Sequence, residues 1–218
     1  MNDSIESAAL AAGIEALGQS LDAQRRALLL RLLDELGRWN RKFNLTAIRD
    51  RDDMLTLHLL DSLAVRPYLC GRRVLDIGTG AGFPGLPLAI AEPERSFVLL
   101  DSNNKKIQFV RHAALALGLD NVEAVRARAE DFAPGEGFDT VIARAVAELA
   151  ELARLAGHLV GEGGVFVALK GRYPADELDQ LPDPWETQVH ELAVPGLESG
   201  SRHAVVMTKK TGAKEERL

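Results

Sequence analysis

Residues 74–85 read VLDIGTGAGFPG, and this stretch decides the fold. Residues 74–77 form a short, mostly apolar run that stops at a glycine-rich loop, which is typical of a buried strand. Glycine lets the backbone turn sharply and approach a ligand without a Cβ clash. In an open α/β sheet, ligands bind beyond the carboxyl ends of the strands. The stretch therefore predicts a strand, a ligand-binding loop and a helix in succession.

The rest of the chain repeats this alternation. Apolar runs at 97–100, 122–125, 140–143 and 165–169 predict strands, and helical patterns at 84–91, 105–117 and 147–159 separate most of them. Alternating strands and helices indicate a parallel, doubly wound sheet, a Rossmann-like α/β fold. Residues 185–193 and 204–207 have no strong helical pattern between them, which predicts a closing antiparallel pair.

The first 65 residues predict a helical extension. An amphipathic helix with Ser20 as its N-cap carries an apolar stripe that ends at Trp39 and Phe43, and we expect both aromatic rings to anchor the helix in the core. A shorter helix is predicted over residues 51–62. We therefore predict a helical extension (1–65) packed on a core (66–210), followed by a mobile tail (211–218), all in one structural domain.

Composition narrows the class of protein. The chain has 218 residues, a formal net charge of −6 and a single cysteine, Cys70. Its acidic first residues do not resemble a secretory segment, and no apolar stretch reaches the roughly 20 residues of a membrane span. We expect a cytoplasmic, monomeric protein without membrane contact. Because the net charge is negative, a nucleic acid would have to bind at a local cluster of positive charge. Such a cluster is the basic segment 38–51, which contains Arg38, Arg41 and Lys42.

Two cofactors compete for the glycine loop. Gly80-x-Gly82-x-x-Gly85 matches a dinucleotide pattern, but such a match alone is weak. Asp76 favours S-adenosylmethionine, because a carboxylate there can meet a methionine ammonium and would be unfavourable beside a pyrophosphate. No Cys/His cluster has the spacing of metal ligands, so we expect no metal.

Acidic residues follow the next two predicted strands as well. Asp101 ends the second strand, where a carboxylate can accept both ribose hydroxyls of either cofactor. Ala129 and Glu130 follow the third strand, where a backbone N–H and an acidic side chain can read the adenine edge. The sequence favours S-adenosylmethionine, with an NAD(P)-dependent oxidoreductase as the alternative. A binding module that keeps the pocket but methylates nothing also stays open.

Several short motifs are spread along the chain: WNRKFNLT (39–46), HLLDS (58–62), DIGTGAGFPG (76–85), LDS (100–102), ARA (143–145), ALKG (168–171) and RH (202–203). Through these motifs the chain resembles, over residues 28–207, the RsmG (GidB) family of bacterial 16S ribosomal RNA guanine-N7 methyltransferases.

The resemblance implies a class I S-adenosylmethionine methyltransferase that acts on N7 of the guanine at position 527, in the 530 loop of 16S ribosomal RNA. The partner would be naked 16S RNA, the small ribosomal subunit or an assembly intermediate. The implied cofactor contacts are, in chain order, Gly78 and Gly80 of the loop, Phe83, Asp101 as ribose acceptor, Ala129, Glu130 and Arg144.

The chemistry of a ring nitrogen agrees with the residues present. Guanine N7 carries a lone pair and no proton, so we expect no residue acting as acid or base. Alignment of nucleophile and methyl group can lower a barrier by roughly 7–11 kcal/mol. The segment 143–146, ARAV, lacks the Asn/Asp-Pro-Pro-aromatic pattern of amino-group methyltransferases, and Cys70 precedes the first strand, away from any cytosine nucleophile position. Arg144 and Lys170 are predicted to position the substrate.

Overall fold

The fold is built on a seven-stranded sheet, seen in a computed structural model that describes residues 2–197 and 200–210. The strand order is β3-β2-β1-β4-β5-β7-β6. Strands β1 to β5 run parallel, and β7 is antiparallel to both of its neighbours. The strands are β1 (Arg73–Ile77), β2 (Ser96–Leu100), β3 (Val122–Val125), β4 (Phe138–Arg144), β5 (Val160–Lys170), β6 (Trp185–Glu191) and β7 (His203–Lys209).

Helices cover both faces of this sheet and form the amino-terminal part of the chain. The helices are α1 (Asn2–Ala16), α2 (Ala23–Phe43), α3 (Arg51–Met54), α4 (Asp61–Leu63), α5 (Gly85–Ala91), α6 (Asn104–Leu117), α7 (Leu149–Ala156) and α8 (Ala175–Leu178). A π-helical turn, Leu55–Leu60, joins α3 to α4 without a break. Three 3-10 turns complete the set, Arg66–Tyr68, Ala129–Asp131 and Gly157–Leu159.

Strand β1 lies at the centre of the parallel part, between β2 and β4. Its last residue, Ile77, is in register with Leu100 of β2 and with Ala143 of β4. The loops that follow these three strands therefore meet at one edge of the sheet. The predicted Rossmann-like α/β class is confirmed, and so is the closing antiparallel pair.

The structure corrects the start of α2. Its N-cap is Asp22, whose carboxylate accepts a hydrogen bond from the backbone N–H of Arg25 at 2.8 Å. Ser20 lies two residues earlier and was the wrong choice. A negatively charged carboxylate at this position also interacts favourably with the positive end of the helix dipole, whereas an uncharged serine hydroxyl lacks this charge interaction.

The two aromatic residues near the end of α2 differ in how deeply they are buried. Trp39 is partly buried and packs edge-on against Phe109 of α6, with ring centroids 5.7 Å apart. Phe43 is 42% exposed. It is the last residue of α2 and stacks on Trp39 instead of entering the core. The expectation of two core anchors is therefore wrong for Phe43.

One apolar cluster joins the amino-terminal helices to the sheet. It contains Leu10 of α1, Leu36 of α2 and Phe109 of α6, all without exposed surface. The division at residue 65 stays a prediction, and the predicted tail 211–218 lies outside the described residues. Within residues 2–197 and 200–210, no helix has both the length and the apolar character needed to cross a bilayer.

We expect Leu36→Ala to lower the free energy of unfolding by about 2–5 kcal/mol, because it empties a fully buried site in this cluster. Urea denaturation followed by circular dichroism measures the change. Leu115→Ala is the matched control: Leu115 is 85% exposed, so its loss should cost less than about 0.5 kcal/mol. Equal costs for both variants would contradict this assignment of the core.

Candidate functional site

A cavity of about 590 Å³ opens at the carboxyl ends of the parallel strands. One wall is the glycine loop after β1, and the opposite wall is the segment between α2 and α3 together with the π-helical turn. The lining residues are Leu45, Thr46, Ala47, Ile48, Leu57, His58, Asp61, Gly78, Thr79, Gly80, Ala81, Phe83, Lys106, Arg144, Ala145, Leu169, Lys170, Gly171 and Arg202.

Asp76 ties the two ends of the glycine loop together. Its Oδ2 accepts hydrogen bonds from the hydroxyl of Thr79 at 2.7 Å and from the backbone N–H of Gly85 at 2.8 Å. The side chain has no exposed surface, and Oδ1 is buried without a hydrogen-bond partner. Burial is the main cause that raises the pKa of Asp76 to about 6, against the lowering effect of the two hydrogen bonds. Asp76 therefore holds the loop in shape, and one of its oxygens is still unpaired.

Asp101 fixes the middle of the same loop from the neighbouring strand. Its Oδ2 accepts from the backbone N–H of Gly80 at 2.9 Å, and its Oδ1 accepts from that of Asn103 at 2.8 Å. Gly78 and Gly80 both have φ near +60°, a conformation in which L side chains are strained. Lys106 of α6 brings its Nζ to 3.8 Å from Asp101 Oδ2. The loop and the ammonium group thus line the polar end of the cavity, and the Asp101 carboxylate lies directly behind the loop without lining the cavity itself.

Asp61 holds two arginines on the other side of the cavity. Its Oδ2 lies 3.1 Å from Nη1 of Arg144, and its Oδ1 lies 2.9 Å from Nε of Arg202. Arg144 Nη1 also donates to the carbonyl of Leu57 in the π-helical turn at 3.1 Å. One buried carboxylate therefore orients two guanidinium groups, and each keeps further N–H groups for a ligand.

His58 does not pair with Asp61, although the two are three residues apart. Its ring stacks on Phe83 with centroids 4.4 Å apart, and its Nε2 lies 3.3 Å from the hydroxyl of Thr46. Burial, and secondarily the charge of Arg144, lower the pKa of His58 to about 4. The imidazole is therefore neutral at physiological pH and joins the glycine loop to the opposite wall.

Asn40 shapes that opposite wall from inside the protein. This buried amide of α2 donates to the carbonyl of Thr46 and accepts from its backbone N–H, both at 3.0 Å. Asn44 ends α2 in a left-handed conformation with φ 49°. The chain therefore turns back at once, and residues 45–48 lie against the cavity.

The remaining predicted positions differ in whether they line the cavity. Lys170 lines it, but its Nζ is bound to Glu177 at 2.6 Å and to the carbonyl of Ala147 at 2.8 Å. Ala129 and Glu130 form the 3-10 turn after β3 and are not among the lining residues. The Glu130 carboxylate is 3.7 Å from Arg128.

Sequence reasoning missed several lining residues. Arg202 was part of a motif but had no role, and its partner Asp61 is 141 positions away in the chain. Lys106 carries no local signal, and Leu45 and Thr46 were part of a motif but were given no role at the cavity. Among residues 2–197 and 200–210, no group of three or more His, Cys, Asp or Glu side chains could hold a metal ion.

Solved structures share the fold and define the class of protein. Cofactor-bound Rv0187 from MTB aligns with a TM-score of 0.58 at 21% identity, covering 85% of this chain and 91% of that chain. A SAM-dependent methyltransferase from Aquifex aeolicus gives 0.53 at 16% identity, over 72% of this chain and 93% of that chain. The fold is that of the class I S-adenosylmethionine methyltransferases.

The particular family follows from sequence comparison. The model of the GidB family, described as rRNA small subunit methyltransferase G, matches residues 25–205. Proteins named ribosomal RNA small subunit methyltransferase G are 52% identical in Methylococcus capsulatus (92% of this chain, 97% of that protein) and 50% identical in Idiomarina loihiensis (84% and 88%). The chain belongs to the GidB family and is an S-adenosylmethionine-dependent methyltransferase. These comparisons give no support to the oxidoreductase alternative.

The raised pKa of Asp76 predicts a pH effect on stability. The folded state holds the Asp76 proton more tightly than the unfolded chain, whose aspartate pKa is about 4. The folded state then binds more protons between about pH 4 and 6, so the contribution of Asp76 to stability falls as the pH rises through that window. We expect the Asp76→Asn variant to become more stable relative to the wild type as the pH rises. The difference between their free energies of unfolding (variant minus wild type) should increase by on the order of 3 kcal/mol from about pH 4 to 6.

Urea denaturation at a series of pH values measures this difference. Asp120→Asn, at an exposed aspartate, is the control and should give a difference that does not vary with pH. A flat difference for Asp76→Asn as well would contradict the assignment of a buried, largely protonated carboxyl group at low pH.

Proposed function

We propose that this chain transfers the methyl group of S-adenosylmethionine to N7 of a guanine in the 530 loop of 16S ribosomal RNA. The observation that carries this function is one cavity with two chemically different ends. The glycine loop, which Asp101 holds from behind, forms one end, and the arginine pair on Asp61 forms the other. The names of the relatives support ribosomal RNA as substrate, and the motif resemblance supplies the base and the loop.

The glycine-loop end fits S-adenosylmethionine. The whole cavity, with a volume of about 590 Å³, lies within the roughly 300–1,000 Å³ usual for ligand pockets. The unpaired, buried Oδ1 of Asp76 leaves a negative partner behind the loop for an ammonium group. Asp101 is only 8% exposed, next to Gly80, where a carboxylate can accept hydrogen bonds from a ribose. Gly78, Gly80, Phe83, Asp101 and Arg144 are therefore proposed as cofactor contacts.

Ala129 and Glu130 complete the proposed cofactor site at its outer edge. Their turn follows β3, next to the strand that ends at Asp101. A ligand longer than the cavity would extend from Asp101 towards this turn, where a backbone N–H and the Glu130 carboxylate can contact an adenine. Like Asp101, the pair does not line the cavity, and it is proposed to contact the part of the ligand that extends past Asp101.

The arginine end fits an RNA nucleotide. Arg144 and Arg202 are held by Asp61 and line the cavity. Guanidinium groups can donate in pairs to phosphate oxygens or to the O6 of guanine. Lys170 acts as a positioning residue, because its bond to the carbonyl of Ala147 fixes the segment that follows Arg144. The substrate base has to leave its stack to enter, which favours an unpaired loop of RNA.

The residues present suit transfer to a nucleophile that carries no proton. S-adenosylmethionine supplies an electrophilic methyl group on a sulfonium. Among the described residues near Arg144, the Asp61 carboxylate is engaged by two arginines, and the pKa of His58, lowered to about 4 by burial and by the charge of Arg144, makes its imidazole a weak base. Transfer to N7 moves a positive charge from sulfur to the base, so the net charge of the cavity does not change. The chain contributes orientation and exclusion of water.

The segment after β4 keeps a strained residue at this place. Ala145 has φ 53°, in the left-handed region that costs a non-glycine residue about 1 kcal/mol or more. It lines the cavity, and the turn it makes brings Val146 over Gly78. Such strain is often found where a side chain or a ligand has to be positioned.

We expect Asp101→Asn to weaken binding of S-adenosylhomocysteine by about tenfold or more, since hydrogen bonds to a charged acceptor contribute roughly 1.5–3 kcal/mol. Isothermal titration calorimetry measures the dissociation constant. Asp120→Asn has the same chemical change on the surface and should bind as the wild type does. Unaltered affinity in Asp101→Asn would remove Asp101 from the cofactor site.

Methyl transfer to RNA tests the function itself. Labelled S-adenosylmethionine is incubated with the protein and with 16S RNA, small subunits or assembly intermediates from cells that lack a methyltransferase of this family. We expect label at guanine N7 within the 530 loop, in at least one of these substrates, and none with Arg144→Ala. Label only at another base or atom, or in no RNA fraction, would contradict the proposed function. An enzyme with this substrate would work in the cytoplasm, where ribosomal subunits are assembled.

A further inference from the structure

The outer side of the cavity wall carries exposed cations and an exposed aromatic ring. They are Arg41, Lys42, Phe43 and Arg49, here called the rim cluster. We infer that the rim cluster binds single-stranded RNA that flanks the target base, with the cations on phosphates and Phe43 under a base. This role rests on the proposed function, because it assumes that the substrate is RNA.

The position of the rim cluster follows from the Asn40 contacts. Asn40 binds both backbone groups of Thr46, so the chain folds back directly after the last turn of α2, and residues 45–48, which follow that turn, line the cavity. Arg49 returns to this turn, since its Nη2 donates to Oδ1 of Asn44 at 3.0 Å. The rim cluster therefore lies within a few residues of the cavity mouth on both sides of the 45–48 segment.

The charge of the rim cluster is not neutralised inside the protein. Neighbouring basic residues are paired, Arg38 with Glu35 and Arg51 with Glu6 and Asp34. Across the part of the chain that the structure describes, Arg41 and Lys42 have no acidic partner within 4.0 Å, and Arg49 has only a neutral amide. The whole chain has a net charge of −6, which repels a polyanion such as RNA. RNA would therefore bind where positive charge is concentrated locally, as it is in the rim cluster.

Phe43 adds a feature that phosphate binding alone does not need. Its ring is 42% exposed and rests on Trp39, with centroids 5.2 Å apart. Trp39 is itself braced by Phe109 and His112 of α6. A rigid, exposed ring beside cations is the arrangement on which unstacked bases bind in single-stranded nucleic acid. Double-stranded RNA would offer no base face to this ring.

Arg41 and Lys42 also have an alternative explanation within the fold. They occupy the last turn of α2, where positive charge interacts favourably with the helix dipole. That role predicts an effect on stability and none on RNA. The two explanations are separated by measuring RNA affinity, its dependence on salt and thermal unfolding on the same variants.

The test uses the full chain and a labelled, unstructured single-stranded RNA of mixed sequence, with fluorescence anisotropy over a range of KCl concentrations. Arg41→Gln/Lys42→Gln should weaken binding roughly tenfold or more. The slope of log K against log salt should become smaller by about 1.4, because two phosphate contacts are lost and each contributes about 0.7 to the slope. Phe43→Ala should weaken binding at least about fivefold, from the lower end of base stacking, without changing the slope.

Arg25→Gln/Arg154→Gln is the matched control, since it removes the same charge from two arginines outside the rim cluster, the partly exposed Arg25 and the exposed Arg154. Wild-type affinity in the rim variants, or an equal loss in the control, would overturn the inference. A loss that is as large with double-stranded RNA as with single-stranded RNA would overturn the assignment of Phe43. Methyl transfer by the wild type is scored separately, so a failure of the proposed function appears in that assay and a failure of this role appears in RNA affinity.

Discussion

A buried carboxylate oxygen holds the site in shape. Oδ2 of Asp76 binds the hydroxyl of Thr79 and the N–H of Gly85, which are the two ends of a loop that has little side chain of its own. Asp101 binds the N–H of Gly80 between them. Burial raises the pKa of Asp76 to about 6, so the loop is held at a free-energy cost that a cationic ligand would reduce. A strained pocket of this kind is pre-organised for its ligand before binding.

The amino-terminal helices are part of the site as well as of the core. The π-helical turn presents His58 and the carbonyl of Leu57 to the cavity, and α4 supplies Asp61. Through Asp61, the arginine after β4 and the arginine before β7 come together, although they lie far apart in the sequence. A π-helical turn often occurs at functional sites. Here the carbonyl of Leu57 in this turn accepts a hydrogen bond from Arg144.

The sequence predicted the sheet better than the cavity. Strand ends marked by glycine or aspartate, as at Ile77 and Leu100, are local signals, and the loops that follow were placed correctly at one edge of the sheet. Ser20 was mistaken for a cap because several polar residues precede α2, and Phe43 was mistaken for a core residue because helical spacing does not show where the neighbouring element stops. Arg202 and Lys106 reach the cavity only through tertiary packing, which spacing along the chain does not encode, and residues 45–48 are placed by the Asn40–Thr46 hydrogen bonds, which no spacing pattern predicts.

The central claim is that the loop after β1 holds the amino-acid end of S-adenosylmethionine, with the methyl group facing the Arg144 side of the cavity. A crystal structure of the chain with S-adenosylhomocysteine tests this most directly. The account predicts the ligand ammonium near the Asp76 side of the loop, the ribose hydroxyls on Asp101 and the sulfur directed towards Arg144. Electron density for the ligand at another place, or in the reverse orientation along the loop, would contradict it.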